Sequence, residues 1–389
     1  MPMPRSFKPC QKKLRSDSFF KFLQPVGDIF PQTPLLKTRG DRPLKMTFED
    51  QLKILVFFHL EEHVSARHML QVLEQDDFAR ENIAPENGIK KSSFSEAINE
   101  RGLEQFQFVF EKLSRKASNI LPNRCPELGD LVALDGSLID ATLSMYWADY
   151  RKGSKKGKIH LGFDLNHGIP SKIHFTNGKG AERPFVDPIT TAGQTVVADR
   201  GYQEHALFDH LQAQGKHFVI RIRANTTKTI VKENNIGPDS IVFFDAEVLL
   251  GTNQNKKQSQ KSVRLVGYHV AGFDYWIATD RRDLTAEQIA DAYKLRWNIE
   301  NFFAWWKRHL RVYHLIAKSR YGLMVQVLAG LITYLLLAIH CHQNHREPVN
   351  IKRVRELRIK IQNELRSAEA SSDSQIFKEQ KQQHLHAKT

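Results

Sequence analysis

Apolar residues recur along this chain with two different spacings. From Thr47 onward they follow helical spacing, and the same spacing predicts three more helices, over residues 65–73, 92–97 and 106–118. After residue 130, continuous apolar runs and period-two alternation take over, which indicates strands. We therefore expect an all-α N-terminal domain over residues 46–128 and a sheet-containing domain over residues 129–345.

The predicted N-terminal helices leave two interpretations open. Lys90 and Lys91 precede small polar residues at the start of one helix, and short turns separate the helices. A helix-turn-helix domain that reads DNA has these features, and so does a helical domain with a solvated face. The sequence does not choose between them. Residues 1–45, ahead of these helices, are rich in Lys and Pro and are predicted to form a basic, partly extended N-terminal extension.

Two apolar runs end directly on an aspartate. Leu131–Leu134 leads to Asp135, and Thr195–Ala198 leads to Asp199. Further strands are predicted over residues 158–165, 172–176 and 218–222, with a helix over residues 206–214. Three strands joined by short loops, then strands alternating with helices, predict an α/β fold with a mixed sheet flanked by helices. This order is similar to that of the ribonuclease H fold. More strands around a polar loop predict a β-rich insertion over residues 226–280, with separate strands over 241–244 and 246–250.

Residues 285–310 are predicted to form one amphipathic helix. Thr285 and Gln288 have the spacing of a capping box, and neither Pro nor Gly follows before residue 310. At about 100° per residue, one stripe of this helix is apolar and should pack on the sheet. The stripe consists of Leu295, Ile299, Phe302, Phe303, Trp306 and Leu310.

Polar side chains gather beside that apolar stripe. Tyr293, Arg296, Glu300 and Lys307 fall within a sector of about 60°. A solvated face with an ordinary Arg296–Glu300 salt bridge is one interpretation, because residues four apart are neighbours on a helix. The two strand-end aspartates favour the other interpretation, a functional face whose glutamate joins them.

The charge balance and the cysteine content bear on the partner and on the compartment of the protein. Lys and Arg number 57 against 43 Asp and Glu, a formal net charge of +14. This excess favours a polyanionic partner, although some basic proteins bind no nucleic acid. The three cysteines, Cys10, Cys125 and Cys341, are far apart and odd in number, which fits a reducing compartment.

At the level of motifs, the chain resembles a known family. The pattern Tyr293-x-x-Arg296-x-x-x-Glu300-x-x-x-x-x-x-Lys307 matches, at every spacing, the YREK signature of one branch of bacterial insertion-sequence DDE transposases. Val197–Tyr202 looks like the family's second-aspartate motif, and Leu134–Ser137 is similar to its first. The resemblance covers roughly residues 130–340 in the family's order, with room for a β insertion before Glu300.

The resemblance implies a ribonuclease H-like catalytic core and a set of site residues. Asp135, Asp199 and Glu300 would be catalytic and would hold two Mg²⁺ ions, with Mn²⁺ as a substitute, since hard cations take carboxylate oxygens. The other signature residues, Tyr293, Arg296 and Lys307, would hold the DNA end. The implied activity is cleavage at the ends of a mobile element and joining of the freed 3′-hydroxyl to target DNA.

A run of five cations offers a further DNA contact. It is predicted to lie in a hairpin loop that either tracks phosphates or is simply solvated. The run consists of Arg151, Lys152, Lys155, Lys156 and Lys158.

Several expectations about partners and location complete the hypothesis. The partners would be double-stranded DNA, both terminal inverted repeats and target, and a second copy of the chain on that DNA. No membrane and no small-molecule substrate are expected, and the location would be the cytoplasm, at the bacterial nucleoid. The apolar run over residues 323–339 is short for a membrane span and contains Gln326, so it is predicted to be a buried core helix. Residues 346–389 would form a basic helix and a polar tail.

Two other functions remain open at this point. One is a catalytically silent DNA-binding protein or repressor derived from a transposase. The other is a stand-alone nuclease of the ribonuclease H type, which would need neither the helical N-terminal domain nor the β insertion.

Overall fold

The computed structural model describes residues 17–36, 44–142, 144–238, 240–252 and 258–364. Within these ranges the chain packs as two compact units, residues 17–109 with 325–364, and residues 110–324. The predicted polar tail, the first sixteen residues of the N-terminal extension and most of the polar loop in the β insertion lie outside the described residues.

The α-helices include the four that the apolar spacing predicts in the N-terminal part. They are α1 (Asp17–Gly27), α2 (Phe48–Leu60), α3 (Ala66–Gln75), α4 (Lys91–Glu100), α5 (Leu103–Ile120), α6 (Val186–Ile189), α7 (His205–Ala213), α8 (Ala286–Leu295), α9 (Trp297–His309) and α10 (Arg320–His345). The predicted basic helix near the C-terminus is described over residues 351–364. Helix α2 begins at Thr47, whose hydroxyl accepts a hydrogen bond from the Asp50 amide in a capping box.

Helix α1 was not predicted, because the whole of residues 1–45 was interpreted as an extension. Phe19, Phe22 and Val26 lie on one face of this helix and are buried. The Ser18 amide donates a hydrogen bond of 3.1 Å to the carboxylate of Glu364. A short amphipathic segment therefore folds within the first unit, although the surrounding composition is polar.

The strands of the second unit form one mixed sheet. They are β1 (Leu131–Asp140), β2 (Asp149–Arg151), β3 (Ser154–Asp164), β4 (Ile169–Asn177), β5 (Thr195–Ala198), β6 (His217–Arg221), β7 (Lys228–Glu233), β8 (Val242–Leu250), β9 (Val263–Val270) and β10 (Phe273–Thr279). The core order is β4-β3-β1-β5-β6, in which β1 pairs antiparallel to β3 and parallel to β5. The predicted mixed α/β fold, consistent with a ribonuclease H-like arrangement, is confirmed.

The β-rich segment extends this same sheet. Strand β10 pairs antiparallel with β6, and β9, β8 and β7 follow in order. The two strands predicted over residues 241–250 are one strand, β8, with a register shift between Val242 and Phe244. The predicted break falls at Asp245, a charged residue that the strand buries by pairing it with Arg264.

The two faces of the sheet are covered differently. Alternate residues of β1, β5 and β6 form a core with α6 and α7; this core includes Val132, Leu134, Val196, Ala198, Phe218, Val186, Ile189, Phe208 and Leu211. Helix α8 contacts β5 and β6, and α9 contacts β1. Because side chains alternate along a strand, Leu131, Ala133 and Asp135 point to the opposite face from Val132 and Leu134.

The apolar run near the C-terminus lies in α10. This helix is long and apolar enough to cross a membrane, but 94% of its most apolar window is buried inside the protein. Burial of that kind is expected of a core helix, as the sequence predicted.

Candidate active site

The first and second aspartates lie at the same level on neighbouring strands. In the parallel pair of β1 and β5, Ala133 stands opposite Val197. Asp135 and Asp199 each follow two residues later, and Asp199 continues in extended backbone after Ala198, with φ −80° and ψ 179°. Neighbouring strands are about 4.8 Å apart, so the register brings the two carboxylates side by side on one face.

Helix α9 brings Glu300 to that same face. It packs on β1 through its apolar side, with Ile299, Phe302 and Trp306 almost fully buried. The preceding helix α8 begins at Thr285, and both hydrogen bonds of the predicted capping box with Gln288 are formed. The amphipathic pattern therefore predicted correctly how the glutamate-bearing segment docks.

The predicted single helix over residues 285–310 was wrong at one point. The segment is two helices that meet at Arg296, where the Arg296 amide bonds to the Tyr293 carbonyl and the Ile299 amide to the Arg296 carbonyl. These bonds span three residues, as in a 3₁₀ turn. No Pro or Gly marks the position, so the sequence carries no signal for the break.

Three residues of the four-residue signature contact one another around this turn. Arg296 Nη1 lies 2.7 Å from Glu300 Oε1, and the Arg296 guanidinium lies over the Tyr293 ring and bonds to its hydroxyl. Tyr293 is buried, and the side chains of Arg296 and Glu300 are 14% and 35% exposed. The solvated-face interpretation predicted the ion pair but not this burial.

Lys307 is anchored to the first strand. Its ammonium donates a 2.7 Å hydrogen bond to the carbonyl of Leu138 on β1. Burial lowers the pKa of Lys307, and the negative charge of Asp140 opposes that shift. The ammonium therefore lies along β1, a few residues beyond Asp135.

Asp135 lies in a strongly perturbing electrostatic environment. Its pKa is raised to about 7, mainly by burial; the Gly136 N–H and Arg296 act to lower this pKa, and the carboxylates of Glu182 and Glu300 act to raise it. The Gly136 amide donates to Asp135 Oδ1 at 2.8 Å. A nearby cation would stabilise the ionised form of such a carboxylate, because burial leaves its negative charge poorly solvated.

Other acids of the sheet-containing unit lie elsewhere or are paired. Asp164 stands opposite Val132, toward the other end of β1 from Asp140, and bonds to His167 at 2.7 Å. Asp187 is ion-paired with Lys216. Asp140 lies 2.7 Å from the ammonium of Lys156.

The basic run is a β-hairpin rather than a loop. Arg151 ends β2, Lys152 lies in the turn, and the three other lysines lie on β3. Lys158 makes an ion pair of 2.5 Å with Glu182, and Lys156 pairs with Asp140. Two cations of the run therefore already have carboxylate partners within the protein. The density of lysine and glycine had obscured the strand pattern.

Glu182 was missed by the sequence interpretation. It lies in the turn just before a short 3₁₀ helix, Arg183–Phe185, and no apolar run or motif marks it. Arg221 follows Ile220, which stands opposite Ala198, so it lies level with Asp199, and its guanidinium lies 4.5 Å from the centre of the Tyr275 ring.

Comparison with known proteins decides the family. Residues 126–336, more than half of the chain, match the family described as the transposase DDE domain. The chain belongs to the DDE transposase family. Its relatives include insertion-sequence transposases, so the predicted recognition of an insertion-sequence DDE transposase is confirmed.

Two curated relatives show the extent of the similarity. The chain is 33% identical over 195 residues to a probable transposase for insertion sequence element IS5377 from Geobacillus stearothermophilus, covering 49% of this chain and 51% of the relative. It is 26% identical over 273 residues to a putative transposase for insertion sequence element IS4SA from Synechocystis, covering 67% and 75%. The chain thus spans about half the length of the first relative.

One solved structure shows a weak similarity to this chain. A piggyBac transposase, determined by cryo-electron microscopy as a synaptic complex with hairpin DNA, matches with a TM-score of 0.42 and 12% identity. The match covers 92% of this chain and 80% of that one. The assignment of the transposase to its family rests on the sequence comparisons.

The family generally uses divalent metal ions, and the donor set here fits them. Asp135, Asp199 and Glu300 offer only hard carboxylate oxygens, the ligands that Mg²⁺ prefers. Among the described residues no three such side chains already surround a single point. Glu300 is turned toward Arg296, and Asp199 Oδ1 accepts a 2.8 Å hydrogen bond from the Gly201 amide.

Proposed function

We propose that this transposase cleaves DNA at the ends of its mobile element and joins the freed 3′-hydroxyl to target DNA. One observation carries the proposal: the strand register places Asp135 and Asp199 side by side on the face against which the Glu300 helix packs. Three acids from two strands and a helix thus converge on one face of the sheet. Such a constellation suits phosphoryl transfer at a carboxylate-held metal site.

The three acids would hold two Mg²⁺ ions, which Mn²⁺ can replace. When bound, such ions activate an attacking oxygen and stabilise a leaving oxygen. The protein's own contribution is to fix its ligands. Asp135 and Asp199 are fixed by the sheet and by backbone N–H donors. Glu300 would have to leave its ion pair with Arg296 before it could bind a metal ion.

The remaining signature residues would hold the DNA end, which would place the transposase in the YREK branch. Arg296 has a buried Nε without a hydrogen-bond partner among the described residues. A phosphate oxygen would satisfy that donor and draw the guanidinium away from Glu300. Lys307 would exchange the Leu138 carbonyl for a phosphate, and Tyr293 would contribute its hydroxyl.

The partners proposed are double-stranded DNA at the terminal inverted repeats and at the target, and a second copy of the chain. Two ends must be held together for joining, which favours a dimer on DNA. The net charge of +14 favours binding of such a polyanion. We place the protein with bacterial DNA in the cytoplasm.

A second function is supported by one observation. In the DNA-free chain Glu300 is ion-paired with Arg296 and is not gathered with the two aspartates. A catalytically silent DNA-binding protein or repressor would have no reason to break that pair. It also would have no need of a third acid on the same face of the sheet, and we therefore favour the enzyme.

The two functions give different results in a cleavage assay. Purified protein is incubated with a labelled duplex carrying the DNA end that flanks its gene, and with a duplex of scrambled sequence, in Mg²⁺ or in EDTA. The proposal expects nicks and joined products only on the end duplex and only with metal. Equal cutting of both duplexes would indicate a non-specific nuclease. Binding without cutting in Mg²⁺ or Mn²⁺ would indicate the silent protein.

A further inference from the structure

A fourth carboxylate is fixed against Gly136, the residue that follows the first catalytic aspartate, on the opposite face of β1 from the Asp135 side chain. Lys158, on β3, lies 2.5 Å from Glu182 Oε1 and also donates a hydrogen bond of 3.2 Å to the Gly180 carbonyl. One ammonium therefore holds both the Glu182 side chain and the turn that carries it. The Glu182 side chain is 26% exposed, so it is neither a free surface group nor a buried structural one.

Gly136 is what allows this arrangement. A Cβ at Gly136 would come within 2.5 Å of Glu182 Oε1 and 2.7 Å of Lys158 Cε, distances that real Cβ atoms do not show. Gly136 directly follows Asp135 in the first-aspartate motif, and its amide donates to the Asp135 carboxylate. The glycine of this motif thus leaves the space in which the Lys158–Glu182 pair lies against β1.

Tyr202 makes a second contact that fixes the Glu182 carboxylate. Its ring is buried in the core between the sheet and α6 and α7, and its hydroxyl donates a hydrogen bond to the Glu182 carboxylate. Tyr202 ends the second-aspartate motif, three residues after Asp199. Residues from both aspartate motifs therefore surround Glu182, although neither motif includes it.

We propose that Glu182 is a positioning residue of the active site, whose fixed carboxylate, across β1 from the Asp135 side chain, adds negative charge near the site and so strengthens binding of the divalent cation. This rests on the proposed function, because it assumes that Asp135 belongs to a metal site. Groups that surround metal ligands commonly change metal affinity when they are replaced. Glu182 acts on the metal ion indirectly, through its charge near the Asp135 carboxylate. The contacts with Lys158 and Tyr202 fix the position of the Glu182 carboxylate relative to β1.

The test measures Mn²⁺ binding to the full-length protein, by calorimetry or electron paramagnetic resonance, without DNA. Glu182→Gln keeps the size of the side chain and its acceptor for Tyr202 but removes the charge. We expect its Kd for Mn²⁺ to rise roughly tenfold. Loss of the Lys158 ion pair should lower its metal-free melting temperature, so Kd is the deciding value: a merely structural role would leave Kd unchanged. Tyr202→Phe, which releases one hold, should weaken Mn²⁺ binding by a smaller factor.

Asp140→Asn is the matched control. Asp140 also lies on β1 and is also paired with a β3 lysine, Lys156, so it tests loss of a nearby carboxylate charge in general. Its Kd should equal that of the wild type. Asp135→Asn separates the two proposals, since it should abolish Mn²⁺ binding.

Each outcome has a definite meaning. Weakened binding in Glu182→Gln, with unchanged binding in Asp140→Asn and lost binding in Asp135→Asn, supports the role of Glu182. Wild-type Kd in Glu182→Gln, with binding lost in Asp135→Asn, overturns that role and leaves the proposed function standing. No binding by the wild type, or unchanged binding in Asp135→Asn, overturns the metal site and this inference with it.

Discussion

Arg296 and Glu300, one helical turn apart, form an ion pair of 2.7 Å. The same two residues are the proposed phosphate contact and the proposed third metal ligand. In this ion pair, the Arg296 guanidinium therefore competes with a metal ion for Glu300, and Glu300 competes with a phosphate for Arg296. The pair keeps a partly buried carboxylate and a largely buried guanidinium from being unpaired, which would be costly.

The first prediction concerns this ion pair. Arg296→Gln removes a cation that competes with metal for Glu300, so DNA-free Mn²⁺ binding should tighten several-fold. DNA-end nicking should fall at least about tenfold, because a charge-assisted phosphate contact is lost. Calorimetry and a nicking assay give the two values. If both metal binding and nicking weaken together, Arg296 is a structural support of Glu300 rather than its competitor.

The second prediction concerns pH and Asp135. Its folded-state pKa is raised from 3.8 to about 7, mainly by burial. The folded state therefore holds this proton more tightly than the unfolded state does. The resulting stabilisation is full below pH 3.8 and is lost as the pH rises through about 7.

Asp135→Asn should remove this pH dependence in metal-free protein. At pH 8 its unfolding free energy should exceed that of the wild type by up to about 4 kcal/mol, since each pKa unit corresponds to about 1.4 kcal/mol, and at pH 4 the two should agree. Urea unfolding at both pH values in EDTA measures the difference. Asp140→Asn serves as the control and should show no such change. Parallel pH profiles for wild type and Asp135→Asn would mean that Asp135 is ordinarily solvated.

The third prediction concerns a buried ion pair in the β-rich segment. Arg264 makes two hydrogen bonds to Asp245, of 2.9 and 2.7 Å, and a third of 2.6 Å to the Leu284 carbonyl just before α8. Both side chains are almost fully buried. Arg264 thus links β8 and β9 to the start of α8, the helix that contains Tyr293 and precedes the Glu300 helix α9.

Arg264→Met should destabilise the protein by about 3–5 kcal/mol, because Asp245 is left buried and unpaired. The Arg264→Met/Asp245→Leu double variant should be markedly more stable than this single variant. Thermal or urea unfolding of both variants, beside the wild type, provides the measurement. A double variant no more stable than Arg264→Met would show that the lost Leu284 contact, not the stranded charge, dominates.

The fourth prediction concerns the basic hairpin. Arg151 and Lys152 lie at the turn of this hairpin, whereas Lys156 and Lys158 are paired with Asp140 and Glu182. Replacing Arg151 and Lys152 with Gln should reduce the slope of log affinity against log salt by roughly two, since each phosphate contact releases counterions. Fluorescence anisotropy with a DNA-end duplex at several salt concentrations measures the slope. Lys156→Gln, whose cation is already paired, should change it less; an equal effect from Lys156 alone would contradict this assignment.

Much of the site followed from sequence because its residues stand at the ends of regular elements. Apolar strands lead directly to Asp135 and Asp199, and the capping box at Thr285 fixes where the helical segment begins. The apolar stripe then indicated which side of that segment packs on the sheet. Local pattern and tertiary packing agree at these positions, so pattern alone was sufficient.

The rest depended on contacts that no local pattern encodes. The 3₁₀ turn at Arg296 contains no Pro or Gly. Glu182 is held against β1 because Lys158, 24 residues earlier on a strand that pairs with β1, binds its carboxylate. Helix α1 was hidden by the polar composition of its surroundings, which outweighed four buried apolar residues.

The most direct test of the central claim is a comparison of the wild type with Glu300→Gln on the labelled DNA-end duplex in Mg²⁺. The control is Glu287→Gln on α8, whose carboxylate bonds to Ser240 rather than facing the aspartates. The account predicts that Glu300→Gln binds the end about as well as the wild type but loses nicking and joining by roughly a thousandfold or more, while the control cuts normally. End-specific cutting by Glu300→Gln at the wild-type rate would contradict the assignment of Asp135, Asp199 and Glu300 as the catalytic set.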